Sequence, residues 1–133
     1  MQGASEIVQA QAVAATAPLF NVAVAAYNGG RFAEALSPLR ITCKACALLL
    51  GDVHQCVQAE KRVDLAQLAK RHRMLAFCLQ RTGESQSAVK SSARAAALLS
   101  ICGDWSNAKL AVQEAASLRS SMLGADTNNS QIT

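Results

Sequence analysis

The sequence predicts an all-α protein whose helices fold back on one another as stacked antiparallel hairpins. Hydrophobic residues make up 51% of the 133 residues but aromatics only 4%, so the core must consist of small and aliphatic side chains, a composition that favours helices. Val and Ile never form an alternating run of strand length. Glycines recur where apolar-periodic segments end, as helix C-terminal glycines do.

These glycines divide a helical-repeat domain, 1–124, into five predicted helices. The dividing positions are Gly29-Gly30, Gly51, Gly83, Gly103 and Gly124. The predicted helices lie near 5–28, 31–50, 59–82, 85–102 and 105–123. Short connections force antiparallel neighbours, which gives a fragment of an α-solenoid. Residues 125–133 are polar and aperiodic, which predicts a disordered tail or linker.

Each predicted helix has its own pattern. The first is apolar on average, but polar residues and Pro18 interrupt it, so it is too weakly hydrophobic to span a bilayer. In the second, Pro38 should kink the helix or restart it after Ser37. Its apolar stripe is Phe32, Ala35, Leu36, Leu39, Cys43, Cys46 and Leu50, and that of the third is Leu65, Leu68, Ala69, Leu75, Ala76 and Leu79.

The fourth predicted helix has a weaker pattern because Ser and Ala dominate it. The fifth has a stripe formed by Trp105, Ala108, Val112, Ala115 and Met122. Stripes of this kind are one-sided and need a neighbouring helix to cover them.

A short pattern recurs after three of the glycines. Each copy has a turn glycine and then an alanine five residues later, in the pairs Gly30 and Ala35, Gly83 and Ala88, and Gly103 and Ala108. Phe32 and Trp105 stand two residues after their glycines. The alanine lies where the second helix of a hairpin contacts the first, so a larger side chain would push the helices apart. We therefore expect Phe32 and Trp105 to lie in the hairpin cores.

This pattern resembles the tetratricopeptide repeat in degenerate form. That family has a small residue in its first helix, then a turn glycine, an aromatic and an alanine. In the first hairpin those places hold Ala23, Gly30, Phe32 and Ala35. In the second they hold Ala76, Gly83 and Ala88, and Ser85 replaces the aromatic. The alanines are 53 and then 20 residues apart, and this irregular period argues against a regular peptide-clamping groove.

The layout is also similar to the irregular helical-repeat region of separase, the large cysteine protease that opens cohesin at anaphase. The similar segments are 18–50, with Phe32-Ala33-Glu34-Ala35 and the Ser37-Pro38-Leu39 break, and 70–99, with Thr82-Gly83. The resemblance implies a non-catalytic piece of a longer chain that acts in sister-chromatid separation. It also implies a disordered acidic inhibitor such as securin as the partner, in the cytoplasm or the nucleus.

Basic residues concentrate in the third predicted helix, which holds six of the thirteen in the chain. They form either a solvated face or a docking strip for an acidic partner segment, and both readings stay open. Lys70 and Arg73 share a side of the helix, while Arg71 is offset by about 100°. The candidate partner-binding residues are Lys61, Arg62, Lys70, Arg71 and Arg73.

The five cysteines are odd in number and follow no recognisable signal peptide, which indicates a reducing compartment. Cys43 and Cys46 form a Cys-x-x-Cys followed by His54 and Cys56, a set that could bind zinc. However, both members of the pair lie on the apolar stripe of the second helix. We therefore expect buried cysteines and no metal, and keep a zinc-stabilised helical domain as an alternative.

Catalytic chemistry is not expected in this chain. His72 and Cys78 are six residues apart on one helix and face different ways, and no glycine-rich oxyanion loop accompanies them. The net charge of +4 is mild, and a nucleic-acid binder would have denser Lys and Arg with aromatics between them. The sequence predicts a scaffold for protein–protein interaction, with no cofactor, membrane or small-molecule substrate; a stand-alone tetratricopeptide-like adaptor is the second reading.

Overall fold

The computed structural model describes the backbone of residues 2–51 and 62–132, and the side chains within 14–48 and 65–123. These residues form helices and no strand, which confirms the predicted all-α class. The helices are α1 Gln2–Asn28, α2 Phe32–Leu50, α3 Arg62–Arg81, α4 Ser85–Cys102 and α5 Trp105–Ile132. Among the described helices none is both long enough and apolar enough to cross a bilayer.

Two helices continue through residues at which the sequence predicts a kink, a restart or an end. α2 continues through Pro38, since the missing N–H removes one backbone bond without ending the helix. α5 runs through Gly124 to Ile132, where the sequence predicts an end at 123. A glycine inside a helix costs only about 1 kcal/mol relative to alanine, too little to guarantee a stop. Because only the backbone is described beyond Leu123, a linker role for 125–133 stays a prediction.

Three corners share one backbone geometry. Gly30, Gly83 and Gly103 have φ of 76°, 86° and 81°, a left-handed conformation that glycine adopts without steric cost. The residue after each glycine donates its N–H to the carbonyl five residues earlier, at 2.8 to 2.9 Å. The repeated alanine then donates its N–H to the residue after the glycine, as Ala88 does to Glu84 at 3.0 Å. The sequence repeat is therefore a repeated structural unit.

The helices pack in chain order. Each contacts the one before and the one after it, and α1 also reaches α3. Because the corners reverse the chain twice between them, α3 and α5 run in the same direction, with α4 behind them. The core uses small and aliphatic side chains, as the composition predicts, and includes Ala23, Ala35, Leu39, Cys46, Leu68, Cys78, Ala88, Leu98 and Ala111.

Candidate polypeptide-binding groove

A groove of about 600 Å³ runs between the parallel helices α3 and α5. Tyr27 of α1 and Ser92 of α4 also line it. The other lining side chains recur every three or four residues, so each helix presents one face to the groove. They include Lys70, Arg73, Met74, Phe77 and Gln80 from α3, and Leu110, Gln113, Glu114, Ser117 and Ser121 from α5. The irregular repeat period, which argued against a regular groove, still leaves room for this one.

An ion pair spans the groove. Nη2 of Arg73 lies 2.6 Å from Oε1 of Glu114, and the two side chains are 32% and 44% exposed. The Nε of Arg73 is buried and has no hydrogen-bond partner among the described residues. Lys70 lies one turn away on the same face and is exposed. The α3 wall of the groove is therefore basic.

Ser92 supplies a second unsatisfied polar group. Its side chain is 1% exposed, and its hydroxyl forms no hydrogen bond within the part of the chain that the structure describes. Buried hydroxyls in folded proteins nearly always have a partner, so this one indicates a functional or strained position. Because Ser92 lies on α4 behind α3 and α5, it forms part of the floor of the groove.

An aromatic cluster joins α1, α2 and α3 beside the groove. Tyr27, Phe32 and Phe77 pack edge to face, with ring centroids 5.4 to 5.7 Å apart. The guanidinium of Arg81 lies over the ring of Phe77 at 5.1 Å. Phe32 thus packs at its hairpin, as expected, while the sequence analysis missed Tyr27 and Phe77. Both residues lie within the last two helical turns before a corner glycine. This position in the sequence was a signal that they lie near a corner.

The basic residues of α3 divide between two environments. Lys70 and Arg73 face the groove, whereas Arg71 is 2% exposed and lies in the core, so Arg71 cannot belong to an exposed docking strip. The 100° offset turns its side chain towards α1, where Nη1 donates to the hydroxyl of Thr16 at 2.6 Å. Lys61 lies outside the described residues, and so does the side chain of Arg62.

The alanines predicted at the hairpin interfaces are all buried. Ala23, Ala35, Ala76, Ala88 and Ala108 are each 5% exposed or less. Trp105 differs from its predicted place in a hairpin core, because it is 69% exposed. It lies about 60° around α5 from the buried Ala108, on a face next to the one that packs on α4.

Burial makes the thiols poor nucleophiles. Burial raises the pKa of Cys43 to about 12 and also raises that of Cys78. Both thiols are therefore protonated at neutral pH, and the neutral thiol is a poor nucleophile. No set of three metal-ligating side chains occurs within the described residues. His54 and Cys56 lie outside them, so the zinc alternative stays a prediction.

Comparisons with protein families, with curated proteins and with solved structures find no match. The function of the groove must therefore be argued from its own chemistry, and the resemblance to separase stays an expectation.

Proposed function

We propose that this chain is a non-catalytic helical scaffold whose groove binds an extended, acidic segment of a partner polypeptide. The observation that carries the proposal is the basic α3 wall of the groove, formed by the exposed Lys70 and the partly exposed Arg73.

The size of the groove suits a short stretch of extended chain. Its α3 wall extends from Lys70 to Gln80, about 15 Å along the helix axis at 1.5 Å per residue. An extended polypeptide covers that length with about four or five residues. The lining combines apolar surface from Met74, Phe77 and Leu110 with amide and hydroxyl groups, which matches a peptide backbone that carries mixed side chains.

The charge of the α3 wall favours an acidic ligand. Arg73 is the residue type best suited to bind a carboxylate with two parallel hydrogen bonds, and its side chain is 32% exposed. Lys70, one turn away, would strengthen the attraction as an exposed point charge. Glu114 occupies one side of the guanidinium, and an incoming carboxylate would compete with it.

A library of random peptides displayed on phage tests the proposal. Selected peptides should be enriched in Asp and Glu and should bind the wild-type chain. Ser117→Trp fills the groove from an exposed position on α5, so we expect it to abolish binding. Ser120→Trp is the matched control, because Ser120 is also exposed on the same helix but does not line the groove. Equal binding by the two variants, or a selection without acidic enrichment, would contradict the proposal.

The resemblance to separase adds a finer proposal about the natural partner. We propose that the chain is part of the helical region of a separase-like protease and that the acidic segment belongs to a disordered inhibitor of the securin type. The complete open reading frame tests this reading directly. A downstream His and Cys protease domain would support it, and a gene product without such a domain would contradict it.

A further inference from the structure

A face of α5 next to the one that packs on α4 carries a regular seam. Its residues follow each other at alternating spacings of four and three, the spacing of a coiled-coil seam, and all of them are exposed. We name this the outer seam; it consists of Trp105, Lys109, Val112, Ala116, Arg119 and Leu123. On a helix these positions fall within about 40° of one line.

The outer seam is separate from the other two faces of α5. Ala108, Ala111 and Leu118 are buried in the helical core. Gln113, Glu114 and Ser117 line the groove. The outer seam lies between these faces, so a partner could occupy it without displacing a ligand from the groove.

Apolar surface dominates the seam. Trp105 is 69% exposed, Val112 is 54% and Leu123 is 61%. The large exposed aromatic is the residue type that most often anchors a protein interface. Singly exposed apolar residues are ordinary on a protein surface, but three of them here lie on one side of α5 and form a strip.

Two basic residues interrupt the strip. Neither Lys109 nor Arg119 forms an ion pair with any other described residue. A described acidic side chain on α5, Glu114, lies on the groove face and pairs with Arg73. The outer seam is therefore apolar with two positive charges and no described negative charge.

This charge pattern disfavours a second copy of the chain as the occupant. If two seams paired in parallel register, Lys109 would face Lys109 and Arg119 would face Arg119. If they paired in antiparallel fashion about their common centre, Trp105 would face Leu123 and Lys109 would face Arg119. Both arrangements bring like charges together, which destabilises a helical pair.

We propose that the outer seam binds an amphipathic helix of a different protein, whose own apolar seam carries two acidic side chains opposite Lys109 and Arg119. Such a helix would bury Trp105 and Val112 and would neutralise both cations at once. The recognition is specific because a helix without the acidic residues leaves two positive charges facing an apolar surface.

An anionic membrane surface would need a different pattern. Helices that lie in a membrane interface carry many Lys and Arg along their polar face. In α5 the polar face contains Gln113, Glu114 and serines, and it lines the groove. The observations therefore favour a helical partner over a lipid surface.

Trp105 is the single tryptophan of the chain, so its fluorescence reports directly on the seam. Two synthetic helical peptides serve as probes; both carry leucines at the apolar seam positions, and they differ only in having Glu or Lys opposite Lys109 and Arg119. We expect the Glu peptide to shift the emission of Trp105 to the blue in a saturable way, and the Lys peptide to bind about tenfold more weakly. The doubly substituted chain, Lys109→Glu with Arg119→Glu, should reverse this preference.

The control is Ser117→Trp with Trp105→Phe, in which the phenylalanine keeps an aromatic side chain on the seam. Its fluorescent residue lies in the groove, and we expect neither peptide to shift its emission. Equal affinity for the two peptides, or no reversal by the charge swap, would overturn the proposal. So would a blue shift with vesicles of phosphatidylserine and phosphatidylcholine but with neither peptide, or one that grows with protein concentration alone, since these results indicate a lipid surface and a second copy respectively.

Discussion

Arg71 of α3 donates a hydrogen bond from Nη1 to the hydroxyl of Thr16 on α1, across 2.6 Å of buried interface. The guanidinium also lies over the ring of Phe20, 4.7 Å from its centroid. α1 packs mainly on α2 and reaches α3 in few places, so this contact fastens the first helix to the third. A basic residue that looks like part of a surface strip in the sequence is a structural element of the core.

Arg71→Ala should therefore destabilise the fold. The substitution leaves the Thr16 hydroxyl without this donor and removes the packing of the arginine stem against Phe20, so we expect a loss of about 2–4 kcal/mol. Lys70→Ala is the matched control, because the neighbouring lysine is exposed, and it should change stability by less than about 0.5 kcal/mol. Urea denaturation followed by circular dichroism measures both. Similar midpoints would show that Arg71 is not a core residue.

Gly83→Ala tests the corner geometry. Gly83 has φ of 86°, and a β-carbon there would meet nothing within 4 Å, so the whole cost comes from the backbone conformation. We expect a loss of about 1–2 kcal/mol, the penalty for an L-residue in the left-handed region. Gly29→Ala is the control, since Gly29 has no positive φ and its added β-carbon would make ordinary contacts at 3.4 Å. Equal thermal shifts in the two variants would rule out the corner conformation described for Gly83.

Ala88→Leu tests the hairpin interface between α3 and α4. Ala88 is 0% exposed, so the extra carbons of leucine must displace neighbouring helices, and we expect a loss of about 1–3 kcal/mol from overpacking. Ala97→Leu makes the same change at an exposed position of the same helix and should be nearly neutral. The difference in melting temperature between the two variants isolates the effect of packing. A melt of Ala88→Leu that matches the wild type would contradict the assigned interface.

The corners were predictable from sequence because each depends on one residue type in one backbone conformation. Short sequence patterns identify the corner glycines Gly30, Gly83 and Gly103 without information from distant residues. The same patterns place the alanine that follows each glycine. The burial of Arg71 was not predictable in this way, because its hydrogen-bond partner lies 55 residues away in the chain. Periodicity gives the direction of a side chain on its own helix, but not which helix it will meet.

The exposure of Trp105 has a related cause. The predicted apolar stripe of the last helix joined Trp105 and Val112 to Ala108 and Ala115, which lie about 40–80° away around the helix. These residues belong to two adjacent faces, and only the one that contains Ala108 is buried. A broad stripe of this kind identifies a helix correctly but leaves open which part of it the neighbouring helix covers. The groove was not predicted either, because its walls come from two helices that are not consecutive, and periodicity does not show which helices are neighbours.

His72 should make stability depend on pH. Burial, with a smaller effect from Arg94, lowers the pKa of His72 from 6.5 to about 4. The unfolded chain therefore takes up a proton at His72 at a higher pH than the folded chain does. As the pH falls from about 6.5 to about 4, the free energy of unfolding should decrease, and above 6.5 this histidine should contribute no further change.

His72→Gln removes this titration. Urea denaturation across the same pH window should show a smaller loss of stability for the variant than for the wild type. The comparison of slopes, rather than of absolute stabilities, separates the protonation effect from any change in packing. Parallel pH profiles would show that His72 titrates alike in the folded and unfolded chains.

Glu114→Gln should make the groove a better receptor for acidic peptides. Glu114 holds Nη2 of Arg73 at 2.6 Å, so a ligand carboxylate must compete with it for the guanidinium. Removing the charge of Glu114 eliminates this competition, and we expect peptides selected on the wild-type chain to bind about three- to tenfold more tightly. Arg73→Gln should weaken the same peptides by at least about tenfold. Isothermal titration calorimetry at low and high salt measures both.

Stability should change little in either variant, because both side chains of the pair are about one-third exposed or more and surface pairs contribute about 0–1 kcal/mol. Glu84→Gln is the matched control: it breaks the exposed pair with Arg40 and lies outside the groove, so peptide affinity should stay at the wild-type value. If Glu84→Gln and Glu114→Gln raised affinity equally, general electrostatic attraction would be sufficient to explain binding. A gain confined to Glu114→Gln would instead locate the acidic side chain of the ligand at Arg73.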